Sequence, residues 1–235
     1  MPVVDLLVDV AAGHRIISFM DGNVGYNQIF MAKEDIPKTA FRCPGHVRLF
    51  EWIIMTFGLK NSSATYQRAM NFIFDEFIGT LVEIYIDDVV VKSGDFVKHL
   101  ADLRKILECT RKHGLKMKPN KCAFGVSIGQ FLGFMVHQRG IEISRRSIDA
   151  INKIVAPADK TELQSLIGKI NFIRRFISNL SGKIKAFSLL HKADQEFVWG
   201  AKEQLALDEI QSILDKSSGI SCTSTCEALQ IVFVD

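Results

Sequence analysis

The chain has 235 residues, 48% of them hydrophobic and 23% charged, with a formal net charge of +3. That composition excludes a disordered or fibrous chain, and no apolar run approaches the roughly 18 residues of a membrane span. Five scattered cysteines (Cys43, Cys109, Cys122, Cys222, Cys226) are odd in number and no signal-peptide pattern opens the chain, so they read as reduced thiols of an intracellular protein, cytoplasmic or nuclear.

Pro2 leads into an apolar stretch, Val3 to Val10, and both ends of the sequence read as cuts through a longer polypeptide. Ile16 to Met20 predicts a short buried strand ending at Asp21. Asn61 or Ser62 caps a predicted helix running to Phe77, with Tyr66, Met70, Ile73 and Phe77 on one face and Gly79 past its end. Leu81–Ile86 and Val89–Val91 are β-rich runs on either side of Asp87 and Asp88, a hairpin pattern with an acidic tip. Asp95 caps the next helix, its inward face expected to carry Phe96, Leu100, Leu103 and Leu107, with Gly114 closing it. Phe131–Val136 and Ile141–Ile143 predict a small hairpin turning at Arg139 and Gly140. Beyond Ser144 the period is helical, through Ile148, Ile151 and Val155 and then Leu163, Leu166, Ile170 and Ile177. The last residues, Leu229–Asp235, read as a strand. The order predicts an α+β fold: a palm-like antiparallel sheet with helices, followed by a basic helical region, with the junction near residues 137–144.

Charge is unevenly spread. Residues 1–110 carry a net −3, residues 111–192 carry 16 basic against 4 acidic side chains for a net +12, and residues 193–235 carry −6. A block of +12 across about 80 residues suits a polyanionic partner, and nucleic acid is the expected one.

Two adjacent aspartates repel, and each raises the pKa of the other. A solvated turn explains Asp87 and Asp88, since Asp is a common turn residue. A divalent cation explains them equally well, because their flanks are apolar and Asp21 ends a separate strand that can lie beside theirs. Three carboxylates at strand ends form an all-oxygen donor set suited to Mg²⁺. The six histidines form no ligand spacing, and neither a P-loop nor a dinucleotide fingerprint occurs. A metal-dependent nuclease shares the carboxylates but lacks a Lys or His general base beside them in the sequence.

Tyr85-Ile-Asp-Asp88 resembles the Y-x-D-D box of reverse transcriptases. Phe19-Met-Asp-Gly-Asn-Val-Gly-Tyr-Asn-Gln28 resembles the first carboxylate motif of the Ty3/gypsy branch of long-terminal-repeat retrotransposons. Met55 to Arg68 resembles the motif leading into the palm helix, and Leu132-Gly-Phe134 the primer-grip hairpin. Lys121-Cys-Ala-Phe124 and Phe197-Val-Trp199 are also similar to these polyproteins, plant elements in particular. The resemblance implies catalytic and metal-binding roles for Asp21, Asp87 and Asp88, with two Mg²⁺ ions, or Mn²⁺ in their place, and Met20 or its backbone as a neighbouring contact. It implies that Tyr26, Phe57 and Gly58 meet the incoming nucleotide, Tyr26 as a steric gate against a 2′-hydroxyl. On residues alone, Tyr26 reads as core packing beside a glycine turn. Tyr85, Ile86, Leu132, Gly133 and Phe134 would hold the primer, although Leu132–Phe134 also reads as a plain buried hairpin.

The implied partners are an RNA/DNA template–primer duplex, deoxynucleoside triphosphates, and the ribonuclease H and integrase portions of an intact Pol polyprotein, with no membrane. The implied organisation is a palm with partial fingers over 1–137, a thumb with connecting helices over 138–215, and the start of a ribonuclease H-like domain over 226–235. Val24 stands where the family commonly has serine, and Thr56 where it has proline. Lys38 and Arg42 lie on a fingers-like hairpin without matching the family's triphosphate-binding positions. A non-catalytic, nucleic-acid-binding remnant is the alternative expectation.

Overall fold

The computed structural model describes residues 1–45, 48–188, 190 and 197–217. The expectations for Cys222, Cys226 and the 226–235 segment fall outside those residues. The described chain divides into two compact units, with the boundary between Ile141 and Glu142. Among the described residues no helix is long and apolar enough to cross a membrane, and Cys43, Cys109 and Cys122 are free thiols.

The first unit is built on a four-stranded antiparallel sheet in the order β4-β5-β1-β6: β1 Ile16–Asp21, β4 Val82–Tyr85, β5 Asp88–Ser93 and β6 Ala123–Val126. β5 is buried from Val89 to Ser93, as a central strand covered on both faces must be. Helices α2 (Ser62–Ile73) and α3 (Phe96–Lys112) pack on the sheet. Their core joins Met20, Tyr66, Met70, Phe74, Val89, Val91, Leu103 and Ile106, each large apolar side chain contributing about 1.5–3 kcal/mol by leaving water. The apolar N-terminal stretch forms a helix, α1 (Val4–Ala11), which buries Leu7, Val8 and Ala11.

A buried ion pair lies inside this unit. Lys92 on β5 pairs with Glu83 on β4 at 2.8 Å, with both side chains under 7% exposed. Lys92 also donates to the Val10 carbonyl at 3.3 Å, placing a cation at the C-terminal end of α1, where the helix dipole favours one.

The sequence reading misplaces several features. The helix expected to reach Phe77 ends at Ile73, and the chain leaves it through turns before Gly79, whose φ of +79° suits glycine. The inward face of α3 is rotated. Phe96 and Leu100 are exposed, while His99, Asp102, Leu103, Ile106 and Thr110 are buried. The reason is polar: Ser18 on β1 and Ser93 on β5 offer partners under the helix, and buried polar groups settle where partners exist. The Gly125 N–H donates to Ser18 Oγ at 3.0 Å, so the Ser18 hydroxyl hydrogen is left for His99 Nε2, 2.7 Å away. His99 Nδ1–H then donates to Ser93 Oγ (3.1 Å), and Ser93 donates to Asp102 Oδ2 (3.1 Å). The chain of donors fixes the tautomer of His99.

Phe131–Val136 is not one strand. β7 (Ile128–Phe131) and β8 (Phe134–His137) form a hairpin whose two-residue turn is Leu132 and Gly133, with φ of +50° and +88°. Two positive φ angles define the tight turn that matches strand twist, and Gly133 supplies one without strain. β9 (Gly140–Ile143) follows β8 in this three-stranded sheet. A small β2–β3 ribbon, Phe41–Arg42 and Leu49–Phe50, carries Arg42, with Lys38 just before it.

The second unit contains α4 (Arg145–Asn152), α5 (Lys160–Phe172), α6 (Leu180–Ser188) and α7 (Ala201–Ser217). Ile148, Ile151, Leu163, Leu166, Ile170, Phe187, Leu207, Ile210 and Leu214 form its core. Val155, expected inward, is 83% exposed because α4 has already ended at Asn152. Ser144 caps α4 and Asp159 caps α5. Lys183 on α6 pairs with Glu209 on α7.

Candidate active site

β1 pairs with β5 in antiparallel register, and the last pair is Asp21 opposite Asp88. On the other side of Asp88, the β4–β5 hairpin pairs it with Tyr85. Directly opposite residues share a sheet face with Cβ atoms about 4.5–5.5 Å apart, so Asp21, Asp88 and Tyr85 form a row across three strands. The hairpin turn is therefore Ile86 and Asp87 rather than the two aspartates, one residue earlier than the sequence pattern suggests. Ile86 holds φ +54°, a left-handed conformation that is costly for a β-branched residue.

The turn is tied down at three backbone atoms. The Gly22 N–H donates to the Asp87 carbonyl at 3.1 Å. Gln67, a buried residue of α2, accepts the Ile86 N–H at 2.8 Å and donates to the Ile84 carbonyl at 3.3 Å. Met20 turns its side chain into the core, 2% exposed, so only its backbone lies on the site's side of β1.

The glycines of the Asp21-Gly22-Asn23-Val24-Gly25-Tyr26 segment make room for the turn. A Cβ on Gly25 would lie 1.9 Å from Asp87 Oδ1 and 2.5 Å from the Tyr66 hydroxyl, and one on Gly22 would lie 3.0 and 2.9 Å from the same two atoms. Asp87 Oδ1 and the Tyr66 hydroxyl are cut off from solvent, and neither makes a hydrogen bond of good geometry although they face each other. Val24 adopts φ +51°, a strained position where a small polar residue would fit better.

Asp87 and Asp88 both feel the charge of Asp21. Burial pushes the Asp87 carboxyl up. The facing Tyr66 hydroxyl and then Lys121 pull it back, while the charge of Asp21 adds to the rise. Asp88 is raised by partial desolvation, then by Asp21 and Asp87, against Lys121. Burial and the charge of Asp87 drive the Tyr66 phenol far above its ordinary value, so it stays protonated. Lys121 Nζ sits 3.2 Å from Asp21 Oδ2. This lysine lies 100 residues from its partner in the sequence, and the fold brings it beside the carboxylates. The Lys118 N–H donates to the Asp21 carbonyl at 2.8 Å, which fixes the segment carrying Lys121 against β1.

The donor chemistry suits Mg²⁺: three carboxylates, a buried oxygen without a partner, and a lysine ammonium standing where a cation is attracted. As the side chains stand, no three acidic or imidazole groups among the described residues close around one point. Asp87 faces Tyr66, and Lys121 stands against Asp21.

Tyr26 is buried, 7% exposed, donor or acceptor to Ser63 Oγ at 2.9 Å, edge-on to Phe57 at 4.9 Å and tilted against Tyr66 at 5.4 Å. Phe57 is 68% exposed beside Gly58, whose φ is +88°. A cavity of about 270 Å³ opens beside Asp21 and Asp88, lined also by Phe19, Lys121, Gln130 and Phe131. Gly129 lies flat on the Phe19 ring, with a Cβ there 2.1 Å from it, so the β7–β8 hairpin that carries Leu132, Gly133 and Phe134 packs on β1. Phe134 is buried, and Leu132 and Gly133 form the turn.

An antiparallel sheet carrying acidic residues at the ends of two central strands, backed by two helices, is a nucleic-acid polymerase palm of the α+β class. The family described as "Reverse transcriptase (RNA-dependent DNA polymerase)" matches residues 5–136, and the chain belongs to it. Its relatives are Ty3/gypsy-type retrotransposon polyproteins. The retrovirus-related Pol polyprotein from transposon opus of Drosophila melanogaster is 31% identical over 95% of this chain and 23% of its own length. The transposon Tf2-3 polyprotein of Schizosaccharomyces pombe is 27% identical over 91% of this chain and 16% of its own. The chain thus spans less than a quarter of either polyprotein. Among solved structures, a foamy viral protease-reverse transcriptase in complex with dsDNA superposes with TM-score 0.84 at 25% identity, over 92% of this chain and 38% of that one. The foamy viral enzyme in complex with an RNA/DNA hybrid gives 0.79 at 26%, over 89% and 28%.

Proposed function

We propose that this chain carries the polymerase centre of a reverse transcriptase, adding deoxynucleotides to the 3′ end of a primer on an RNA or DNA template. The observation that carries this reading is the register that sets Asp21 against Asp88 with Asp87 in the adjoining turn. In the reaction, the primer 3′ oxygen bonds to the α-phosphorus of a deoxynucleoside triphosphate, the bond to the bridging β-phosphate oxygen breaks, pyrophosphate leaves, and the hydroxyl proton passes to solvent. A bound pair of Mg²⁺ ions, or Mn²⁺, supplies charge stabilisation for the attacking and leaving oxygens. Asp21, Asp87 and Asp88 would hold those ions. Tyr26 bounds the sugar pocket with Phe57 and Gly58. Tyr85 and Ile86 meet the primer terminus, and Leu132, Gly133 and Phe134 hold its strand.

Residues 1–137 then act as palm and partial fingers, and 138–215 as a thumb whose Lys and Arg side chains contact duplex phosphates without reading sequence. The foamy viral enzymes, similar over most of this chain, are bound to an RNA/DNA hybrid and to dsDNA, which supports a template–primer partner here. The test is Mg²⁺-dependent primer extension on RNA and DNA templates by the chain and by Asp88→Asn. Incorporation by the parent alone supports the proposal, and equal incorporation by both defeats it. The closed Lys121–Asp21 pair favours a second reading, a nucleic-acid-binding remnant without catalysis. It predicts salt-sensitive duplex binding with no incorporation at any Mg²⁺ or Mn²⁺ concentration.

A further inference from the structure

We propose that Gln67 is a positioning residue of the polymerase centre: its carboxamide clamps the β4–β5 turn and so aims Asp87. The inference rests on the reading of Asp87 as a catalytic carboxylate. Gln67 is 3% exposed. Both amide hydrogens and the oxygen are engaged, with Oε1 accepting from Ile86 N (2.8 Å) and Nε2 donating to the Ile84 carbonyl (3.3 Å) and to Asn71 Oδ1 (2.9 Å). The orientation is dictated by chemistry, since a backbone N–H only donates and a carbonyl only accepts.

Inside a two-residue hairpin turn the first N–H has no ladder partner, and here it is half-buried. Ile86 also sits at φ +54°, a conformation it keeps only if its surroundings over-determine it. The clamp satisfies that N–H and holds that angle. Asp87 is the next residue, with its carbonyl pinned on the far side by the Gly22 N–H. The direction of the Asp87 carboxylate therefore follows from two anchors, one on α2 and one on the Asp21 loop.

Two variants test this. Gln67→Met keeps the shape and removes every hydrogen bond. Gln67→Ala lets water reach the freed backbone groups. In the metal-free protein, Ile86 amide hydrogen exchange should rise about tenfold, the equilibrium worth of one hydrogen bond, while the amides of Val89–Val91 keep their protection. In primer extension, kcat should fall by about tenfold to a hundredfold, as expected for a small misplacement of a reacting group, with the nucleotide KM little changed.

Unchanged Ile86 exchange in a folded variant overturns the inference. So does an unchanged kcat beside raised Ile86 exchange, and so does failure of both variants to fold, which assigns Gln67 to the core alone. If the parent chain incorporates no nucleotide, the proposed function fails by itself, and Ile86 exchange still decides the clamp.

Discussion

Asp21 and Asp88 face each other as the terminal pair of the β1–β5 ladder, 67 positions apart in sequence and neighbours on one sheet face. Lys121 forms an ion pair with Asp21. If they hold the metal pair, Asp21→Asn and Asp88→Asn should each lower kcat by about a thousandfold, the loss of several kcal/mol of charge stabilisation. Asp88→Asn should melt no lower than the parent in metal-free buffer, since removing a like charge relieves repulsion. Steady-state primer extension with thermal melting checks both outcomes.

Gly25 has an ordinary backbone angle, so its requirement is space rather than conformation. A methyl group there would overlap Asp87 Oδ1 and the Tyr66 ring. Gly25→Ala should therefore abolish incorporation by displacing the turn, while the second unit, which contains no part of this contact, keeps its melting behaviour. Normal activity in Gly25→Ala would contradict the packing described here.

Tyr26 tests the proposed sugar pocket. Its ring is wedged between Phe57 and Tyr66, and its hydroxyl pairs with Ser63. Tyr26→Phe keeps the ring and should keep discrimination against ribonucleotides. Tyr26→Ala should lose about ten- to two-hundredfold of it, the range a single steric contact provides. Competing deoxy- and ribonucleotide incorporation measures the ratio.

His99 sets a pH dependence on the palm. Burial lowers its pKa below the ordinary 6.5, with Asp102 opposing. The unfolded chain therefore gains a proton near pH 6.5 while the folded chain stays neutral. Stability is fully present above that pH and falls as pH drops from there toward the lower folded value. Protonation also places a hydrogen on Nε2, where the Ser18 hydroxyl hydrogen already points. Urea unfolding between pH 7.5 and 5.5 should show this loss. His99→Gln should flatten the part due to this residue, at a cost of about 1–3 kcal/mol at neutral pH for broken buried hydrogen bonds.

Much of the site was legible before the fold. The Tyr85–Asp88 box, the Asp21 strand and the glycines after it are contiguous patterns, and strand periodicity alone put acidic residues at strand ends. At the turn the apolar pattern extends the strand through Ile86, yet Asp88 belongs to the ladder because Asp21 and Tyr85 stand opposite it. The face of α3 was misjudged for a related reason. Phe96 and Leu100 are more apolar than His99 and Asp102, and only the serines beneath the helix make the polar face the buried one.

Local pattern by itself pointed to the family and to β1, α2, the β4–β5 hairpin and α3, because periodicity and short motifs act over a few residues. The tertiary structure decided which groups meet across long sequence gaps: Lys121 with Asp21, Gln67 with Ile86, and Gly25 with Asp87. Those pairings depend on sheet order and on shape complementarity between distant segments, and neither is written in the spacing of residues along one strand.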